Sequence, residues 1–297
     1  MEFVIGTRGS DLARRQTALV QARILARYPE ARVTVAIIRT KGDKDLRPIP
    51  LDTVGKGWFT REVEAELLGG RIDLAVHSLK DLPESLPSGL VLAAVTERED
   101  PRDALVSKTG AALADLPEGA SIGTDSERRK FQIARLRPDC KVKSVRGNVV
   151  SRLAKLFSGS EYDALVLAAA GLIRLGERKK IAEYFDPREF IPAPGQGTLV
   201  AEAREGSKAA ELLAPLDDPK VRLESAAERS FSFAFGGGCK LPVGAYAETS
   251  NGRMRLHGMA ADPNTGAFFL EMIKGGKDEA EELGKALAAR ARKILPA

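Results

Sequence analysis

Over its first two thirds the chain alternates short apolar runs with longer stretches that mix apolar and charged residues. Short runs bounded by glycine and proline read as buried strands, and the mixed stretches between them as amphipathic helices. The pattern predicts strands at 3–7, 33–40, 72–76, 90–95, 120–124, 142–145, 162–170 and 198–204. Helices are expected at 11–27, at 60–68, from 125 onward, and on a segment carrying Arg152. Ser10 is a natural N-cap for the first of these, with Asp11 in its first turn. Leu12, Leu19, Ile24 and Leu25 are expected to face the core. After about residue 217 the pattern changes. A helix at 221–233 precedes strands at 243–248, 254–261 and 268–273, with Asn251-Gly252 as a hairpin signal, and an amphipathic helix at 277–295 closes the chain.

Strand–helix alternation followed by an antiparallel group predicts α/β architecture with an α+β C-terminal part. The charged stretch Glu97-Arg98-Glu99-Asp100-Pro101-Arg102-Asp103 reads as a crossing between domains, and Ile191-Pro192-Ala193-Pro194-Gly195-Gln196-Gly197 as the return. The expected domains are therefore 1–98 with 196–216, then 99–195, then 217–297.

Composition narrows the classes. The chain has 297 residues, 43% hydrophobic and 29% charged, enough apolar content for packed cores. No run of 18 apolar residues is present, so no membrane-spanning helix is expected. Met1-Glu2-Phe3-Val4-Ile5-Gly6 carries no basic leader and reads as a first strand rather than a signal peptide. Cys140 and Cys239 are the two cysteines, far apart and without a CxxC, so a reducing cytoplasm is the simpler setting. With His77 and His257 the only histidines, a zinc site is not expected. The net charge of +5 favours anionic ligands. Nucleic acid is the weaker choice, since aromatic residues are 5% of the chain and no nucleic-acid motif is present.

The candidate chemistry sits at strand ends and in one loop. Gly236-Gly237-Gly238-Cys239-Lys240-Leu241-Pro242 places a thiol where a ligand can approach closely, beside a lysine that favours the thiolate. From these residues alone it is equally a tight turn with an incidental cysteine. Arg8-Gly9-Ser10 joins a strand to a helix start, a geometry suited to anions. His77-Ser78-Leu79-Lys80-Asp81-Leu82-Pro83 follows a buried strand, where open α/β sheets bind ligands. Asp125-Ser126-Glu127-Arg128-Arg129 and Arg146-Gly147-Asn148, with Arg152, put arginines at two further strand ends.

These stretches, with Gly55-Lys56-Gly57-Trp58-Phe59, Gly123-Thr124 and Pro194-Gly195-Gln196-Gly197, run in order along nearly the whole chain. Together they resemble the porphobilinogen deaminase family, also called hydroxymethylbilane synthase. The resemblance implies two periplasmic-binding-protein-like (type II) α/β domains and a C-terminal α+β domain carrying Cys239. It implies a monomeric transferase of tetrapyrrole biosynthesis, acting on porphobilinogen without nucleic acid or membrane. A dipyrromethane cofactor would be held by a thioether to Cys239. Four porphobilinogen units would be joined to it with loss of ammonia, and hydroxymethylbilane released by hydrolysis. Arg8, Ser10, Lys80, Ser126, Arg128, Arg129, Arg146 and Arg152 match cofactor and substrate contacts. The cofactor side of this set is Lys80, Ser126, Arg128, Arg129 and Arg146; the substrate side is Arg8, Ser10, Arg146 and Arg152. Asp81 matches the catalytic carboxylate. Lys56 and Gln196 fall in matching motifs without an assigned role.

The residues suit this chemistry, because guanidinium forks bind carboxylates well and the growing chain gathers them. There are departures from the family pattern. Asp125 and Glu127 stand where small or apolar residues are common, Asp11 and Ala13 replace commoner residues, and Lys240 follows the cysteine. The competing reading is a non-catalytic binding protein of the same architecture, which would need neither Cys239 nor the Lys80-Asp81 pair.

Overall fold

A computed structural model describes residues 1–40, 60–83, 85–236 and 242–295. The polar loop with Lys56 and the glycine loop with Cys239 and Lys240 lie outside the described residues. The chain begins with β1 (Glu2–Arg8), α1 (Asp11–Arg27), β2 (Arg32–Ile38), α2 (Arg61–Leu68), β3 (Leu74–Ser78) and β4 (Leu90–Arg98). It continues through β5 (Asp103–Ser107), β6 (Ser121–Gly123), α3 (Glu127–Leu136), β7 (Lys141–Lys143), α4 (Val149–Ser158), β8 (Ala164–Ala168), α5 (Ala169–Arg174) and β9 (Glu183–Tyr184). Then come β10 (Thr198–Arg204), α6 (Lys208–Leu213), α7 (Pro219–Phe235), β11 (Val243–Ser250), β12 (Arg253–Ala261), β13 (Phe268–Gly276) and α8 (Ala280–Ile294).

The strands form three sheets, ordered β2-β1-β3-β10-β4, β7-β6-β8-β5-β9 and β11-β12-β13. The first two share one plan. A parallel trio has its earliest strand in the middle, and a fourth strand runs antiparallel beside it, β10 on β3 and β5 on β8. This is the expected α/β architecture of the periplasmic-binding-protein type, with an α+β part at the C-terminus. Two compact units result: 1–99 with 198–222, and 100–197 with 223–297.

The apolar runs of the inner strands are buried on both faces, as mostly parallel sheets require, while edge strand β2 leaves Val35 and Ile37 exposed. In β1, Phe3 and Ile5 pack with Val20 and Ile24 of α1, while Val4 packs on the other face with Val63 and Leu67 of α2. In β5 and β8, Ala104, Val106, Leu165 and Leu167 serve one core, and Leu105, Ala164 and Val166 the other. In the three-stranded sheet, Leu256 and Phe269 pack against Phe231 of α7 and Leu287 of α8. The hairpin between β11 and β12 turns through Asn251 and Gly252 with φ of 50° and 73°, the left-handed pair that an Asn-Gly turn supplies.

Three expectations are corrected. Leu19 is exposed, and Gln16, Thr17, Val20 and Ile24 form the buried side of α1. The sheet-facing stripe steps by four residues from Gln16 to Val20 and Ile24, with Thr17 three residues before Val20, which leaves Leu19 off it. Gln16 enters the core because its Nε2 donates to Ser78 Oγ at 2.8 Å. The strand expected at 72–76 runs instead from Leu74 to Ser78. Ile72 gives its carbonyl to Arg204 Nη1, and Asp73 donates its N–H to Val4 O but accepts from Val4 N through its side chain, so regular pairing starts at Leu74. The apolar run at 162–170 divides: Ala164–Ala168 is strand, and Ala169 opens α5 with its N–H donating to Arg102 O. An apolar run buried throughout does not distinguish strand from helix by periodicity.

Candidate functional site

Among the described residues, the predicted site residues fall into two groups, one in each unit. In the first unit they lie at the carboxyl ends of β1 and β3, neighbours in the parallel ladder. Arg8 is the last residue of β1 and is half-buried. Ser10 caps α1, its Oγ accepting from Ala13 N at 3.3 Å. After Ser78 the chain makes one tight turn, Leu79–Asp81, closed by Leu82 N donating to Leu79 O. Leu79 and Leu82 are buried with Val95, Val200 and Val221. Lys80 between them is half-buried and Asp81 is exposed. Two apolar anchors thus fix the short polar pair, and the Gln16–Ser78 bond ties the turn to α1.

The same unit contains a polar cluster that the sequence reading did not single out. His77 Nε2 lies 3.2 Å from Glu202 Oε2, both side chains buried. Burial raises the Glu64 carboxyl above its ordinary value, with help from the Glu202 charge. The signal available was Glu202 within an otherwise apolar run, an acid that needs a partner when buried.

In the second unit the arginines divide into an inner and an outer pair. Ser126 caps α3, accepting from Arg129 N, so Arg128 and Arg129 stand on its first turn. Both are buried around Asp103 of β5, whose own side chain is fully buried. Arg128 Nη1 donates to Asp103 Oδ2 and to Ile191 O, each at 2.6 Å. Arg129 donates to Asp103 Oδ1 from Nε at 2.9 Å and Nη2 at 2.7 Å, and from Nη1 to Val166 O. Gln196 completes the set, its Nε2 donating to Asp103 Oδ1 at 3.0 Å and to Pro101 O at 2.8 Å. Gln196, unassigned from sequence, therefore supports a buried counter-ion. Asp103 itself was read only as part of a crossing; the signal was an acid beginning the apolar strand Asp-Ala-Leu-Val-Ser.

Burial alone would push the Asp103 carboxyl up. The charges of Arg128 and Arg129, with hydrogen bonds from Arg128 and Gln196, outweigh it and hold the group well below the usual carboxylate range. A depressed folded-state value means that the carboxylate stabilises the fold above its unfolded value of about 3.9, and that this contribution is lost as pH falls below it. Asp103→Ala leaves two buried guanidinium groups without their counter-ion and is expected to cost about 3–5 kcal/mol. Denaturant unfolding checks this; a midpoint equal to that of the parent would remove Asp103 from the core network.

The outer pair is held by the β7–α4 turn. Asn148 caps α4, accepting from Ser151 N at 2.9 Å, which sets Arg152 on the first turn. Gly147 has φ 115°, and a Cβ there would come within 2.1 Å of Ser151 Oγ, so the turn needs glycine. Arg152 Nε donates to Gly147 O at 2.7 Å. The Arg146 and Arg152 side chains keep 38% and 21% of their exposure, against 6% and 9% for the inner pair. Between them lies Asp125, whose Oδ2 is 3.5 Å from Arg146 Nε and 3.7 Å from Arg152 Nη2. Glu127 turns elsewhere and pairs with Lys130 at 2.7 Å. A carboxylate already sits where two partly exposed guanidinium groups converge, so this donor set fits an acidic ligand such as the carboxylate arms of a dipyrromethane.

Residues 3–211 match the family model described as porphobilinogen deaminase, dipyromethane cofactor binding domain, and residues 222–293 match the porphobilinogen deaminase C-terminal domain. A porphobilinogen deaminase of Syntrophobacter fumaroxidans is 44% identical over 298 residues, covering 98% of this chain and 96% of its own. One of Thermus thermophilus is 47% identical over 287 residues, covering 96% and 93%. Among solved structures, the methionine-binding protein MetQ aligns with 76% of this chain and 93% of its own, at 12% identity and a TM-score of 0.47.

Proposed function

The chain belongs to the porphobilinogen deaminase family, and from that premise we propose that Asp81 is its catalytic carboxylate, Cys239 its cofactor attachment point and Arg146 with Arg152 its accessible carboxylate ligands. It is a transferase of tetrapyrrole biosynthesis that works with a dipyrromethane cofactor. The substrate on this reading is porphobilinogen, joined stepwise with loss of ammonia and released as hydroxymethylbilane. The observation that carries the residue assignment is the pairing of Arg146 and Arg152 around a carboxylate.

The roles of the described residues follow from placement, and that of Cys239 from the family. The Cys239 sulfur would hold the cofactor through a thioether, and the dipyrromethane would supply the pyrrole terminus to be extended. Arg146 and Arg152 grip carboxylate arms and orient them. Arg128 and Arg129, locked inward on Asp103, supply fixed positive charge behind them, with Ser126 holding the turn. Arg8 ends β1, Ser10 caps α1 just beyond it and Lys80 lies in the turn after β3; all three act on carboxylates from the first unit. Asp81, exposed on a rigid turn, stabilises positive charge near the reacting nitrogen and moves its proton. Among the described residues no helix is long and apolar enough to cross a membrane. A monomer in a reducing cytoplasm, where a cysteine thiol persists, is the setting this reading takes.

Arg146→Gln and Arg152→Gln test the ligand role. Losing one partner of a charged hydrogen bond is expected to raise the KM for porphobilinogen about ten- to a hundredfold. Arg→Lys at either position should recover only part, since a point charge does not reproduce the fork. Steady-state kinetics of the cofactor-loaded protein measure this. KM values within twofold of the parent in all four variants would show these to be surface charges.

A further inference from the structure

Asp125 is a charged residue in the arginine site that binding a carboxylate does not require. Its Oδ1 accepts from Ser144 Oγ, and Tyr162 Oη donates to Ser144 O at 2.7 Å, so its position is built rather than incidental. Its Oδ2 is buried and has no hydrogen-bond partner among the described residues. That oxygen faces Arg146 and Arg152 at 3.5 and 3.7 Å, too far for hydrogen bonds but close for charge. Burial and the Arg129 charge lower the Arg152 value, and the Asp125 charge opposes them. Four arginines converge here on two carboxylates of the chain: Asp103 is sealed with the inner pair, and Asp125 stands with the outer one.

We propose that Asp125 is a specificity-determining residue, a resident carboxylate that occupies the seat between Arg146 and Arg152 and has to yield it to each incoming carboxylate. The proposal rests on the reading of those arginines as ligands. An isolated carboxylate gains little by exchanging with Asp125, because it replaces like with like. A ligand carrying several carboxylates engages Arg146 and Arg152 together, which a single carboxylate does not, so the seat favours acid-rich chains. Glu127 takes no part, being paired with Lys130.

The test is calorimetric titration of the cofactor-loaded protein with glutarate, a non-reacting dicarboxylate. Asp125→Asn keeps an acceptor for Ser144 and removes the charge. Exposed or half-exposed ion pairs are weak individually, so the expected gain is about three- to tenfold tighter glutarate binding. The porphobilinogen KM should fall by a similar factor with kcat unchanged, the signature of altered uniform binding. Asp125→Ser, which is shorter, should behave alike. Combined with Arg146→Gln and Arg152→Gln, Asp125→Asn should lose its effect. Unchanged or weaker glutarate binding in both Asp125 variants overturns the proposal, since a merely structural aspartate predicts the one and an aspartate that aligns the arginines predicts the other. If Arg146→Gln and Arg152→Gln themselves leave glutarate binding unaltered, the ligand reading fails, and the proposal with it. Arginine variants that bind weakly beside neutral Asp125 variants sink the proposal alone.

Discussion

Cys239→Ser is expected to abolish turnover and to remove a covalent mass from the protein. A serine hydroxyl at neutral pH does not offer the thiolate that forms the thioether, and the other cysteine is no substitute. Cys140 is half-buried in the second unit, and burial pushes its thiol up, away from the reactive form. The cofactor-loaded protein should therefore carry one adduct that survives excess thiol, because a thioether is not open to thiol exchange as a disulfide is. Intact-protein mass before and after reduction reads both points, and the adduct should be absent from Cys239→Ser. A parent protein from a porphobilinogen-producing host that shows only its polypeptide mass would move the attachment away from Cys239. So would an adduct that persists in the serine variant.

The sequence made the fold legible wherever a local pattern carried it. The apolar strands, the Ser10 cap and the Asn251-Gly252 hairpin depend on residues within one turn or one run, and each is present. What it could not show depends on partners distant in the chain. Gln16 is buried and Leu19 exposed because Ser78, 62 residues away, accepts from Gln16. Arg128 and Arg129 read from sequence as cofactor carboxylate contacts, but Asp103, 25 residues from Arg128, draws both inward. The sequence marked Asp125 as a departure from the family pattern, but its place between Arg146 and Arg152 comes from the β6–β7 ladder, in which Gly123 pairs with Lys143 and brings the two strand ends together. The ends of β1 and β3 were expected to face a ligand for a general reason: open α/β sheets bind ligands at the carboxyl edge of their strands.

Asp81→Asn is expected to leave a folded, cofactor-loaded protein whose condensation step is slower by about two to four orders of magnitude, the usual contribution of a positioned acid–base group. The separation of fold from chemistry rests on burial. Asp81 is exposed, while its turn is anchored by Leu79 and Leu82 at 1% and 6% exposure, so asparagine disturbs no core contact. Its stability should stay within about 0.5 kcal/mol of the parent, as for most exposed substitutions. Asparagine retains the size of aspartate but neither its negative charge nor its basicity. It is therefore unable to stabilise positive charge at the reacting nitrogen or to accept the proton. Asp81→Glu keeps the carboxylate and displaces it by one methylene. Misplacement on that scale is itself costly in a positioned reaction, so an intermediate rate is expected. Single-turnover ammonia release at saturating porphobilinogen isolates the step from substrate binding, and intact mass confirms that cofactor is present. A slow variant that had also lost its cofactor would make Asp81 a loading residue instead. A near-parental rate in Asp81→Asn would transfer the acid–base role to a different carboxylate, because the Leu79–Asp81 turn contributes no other.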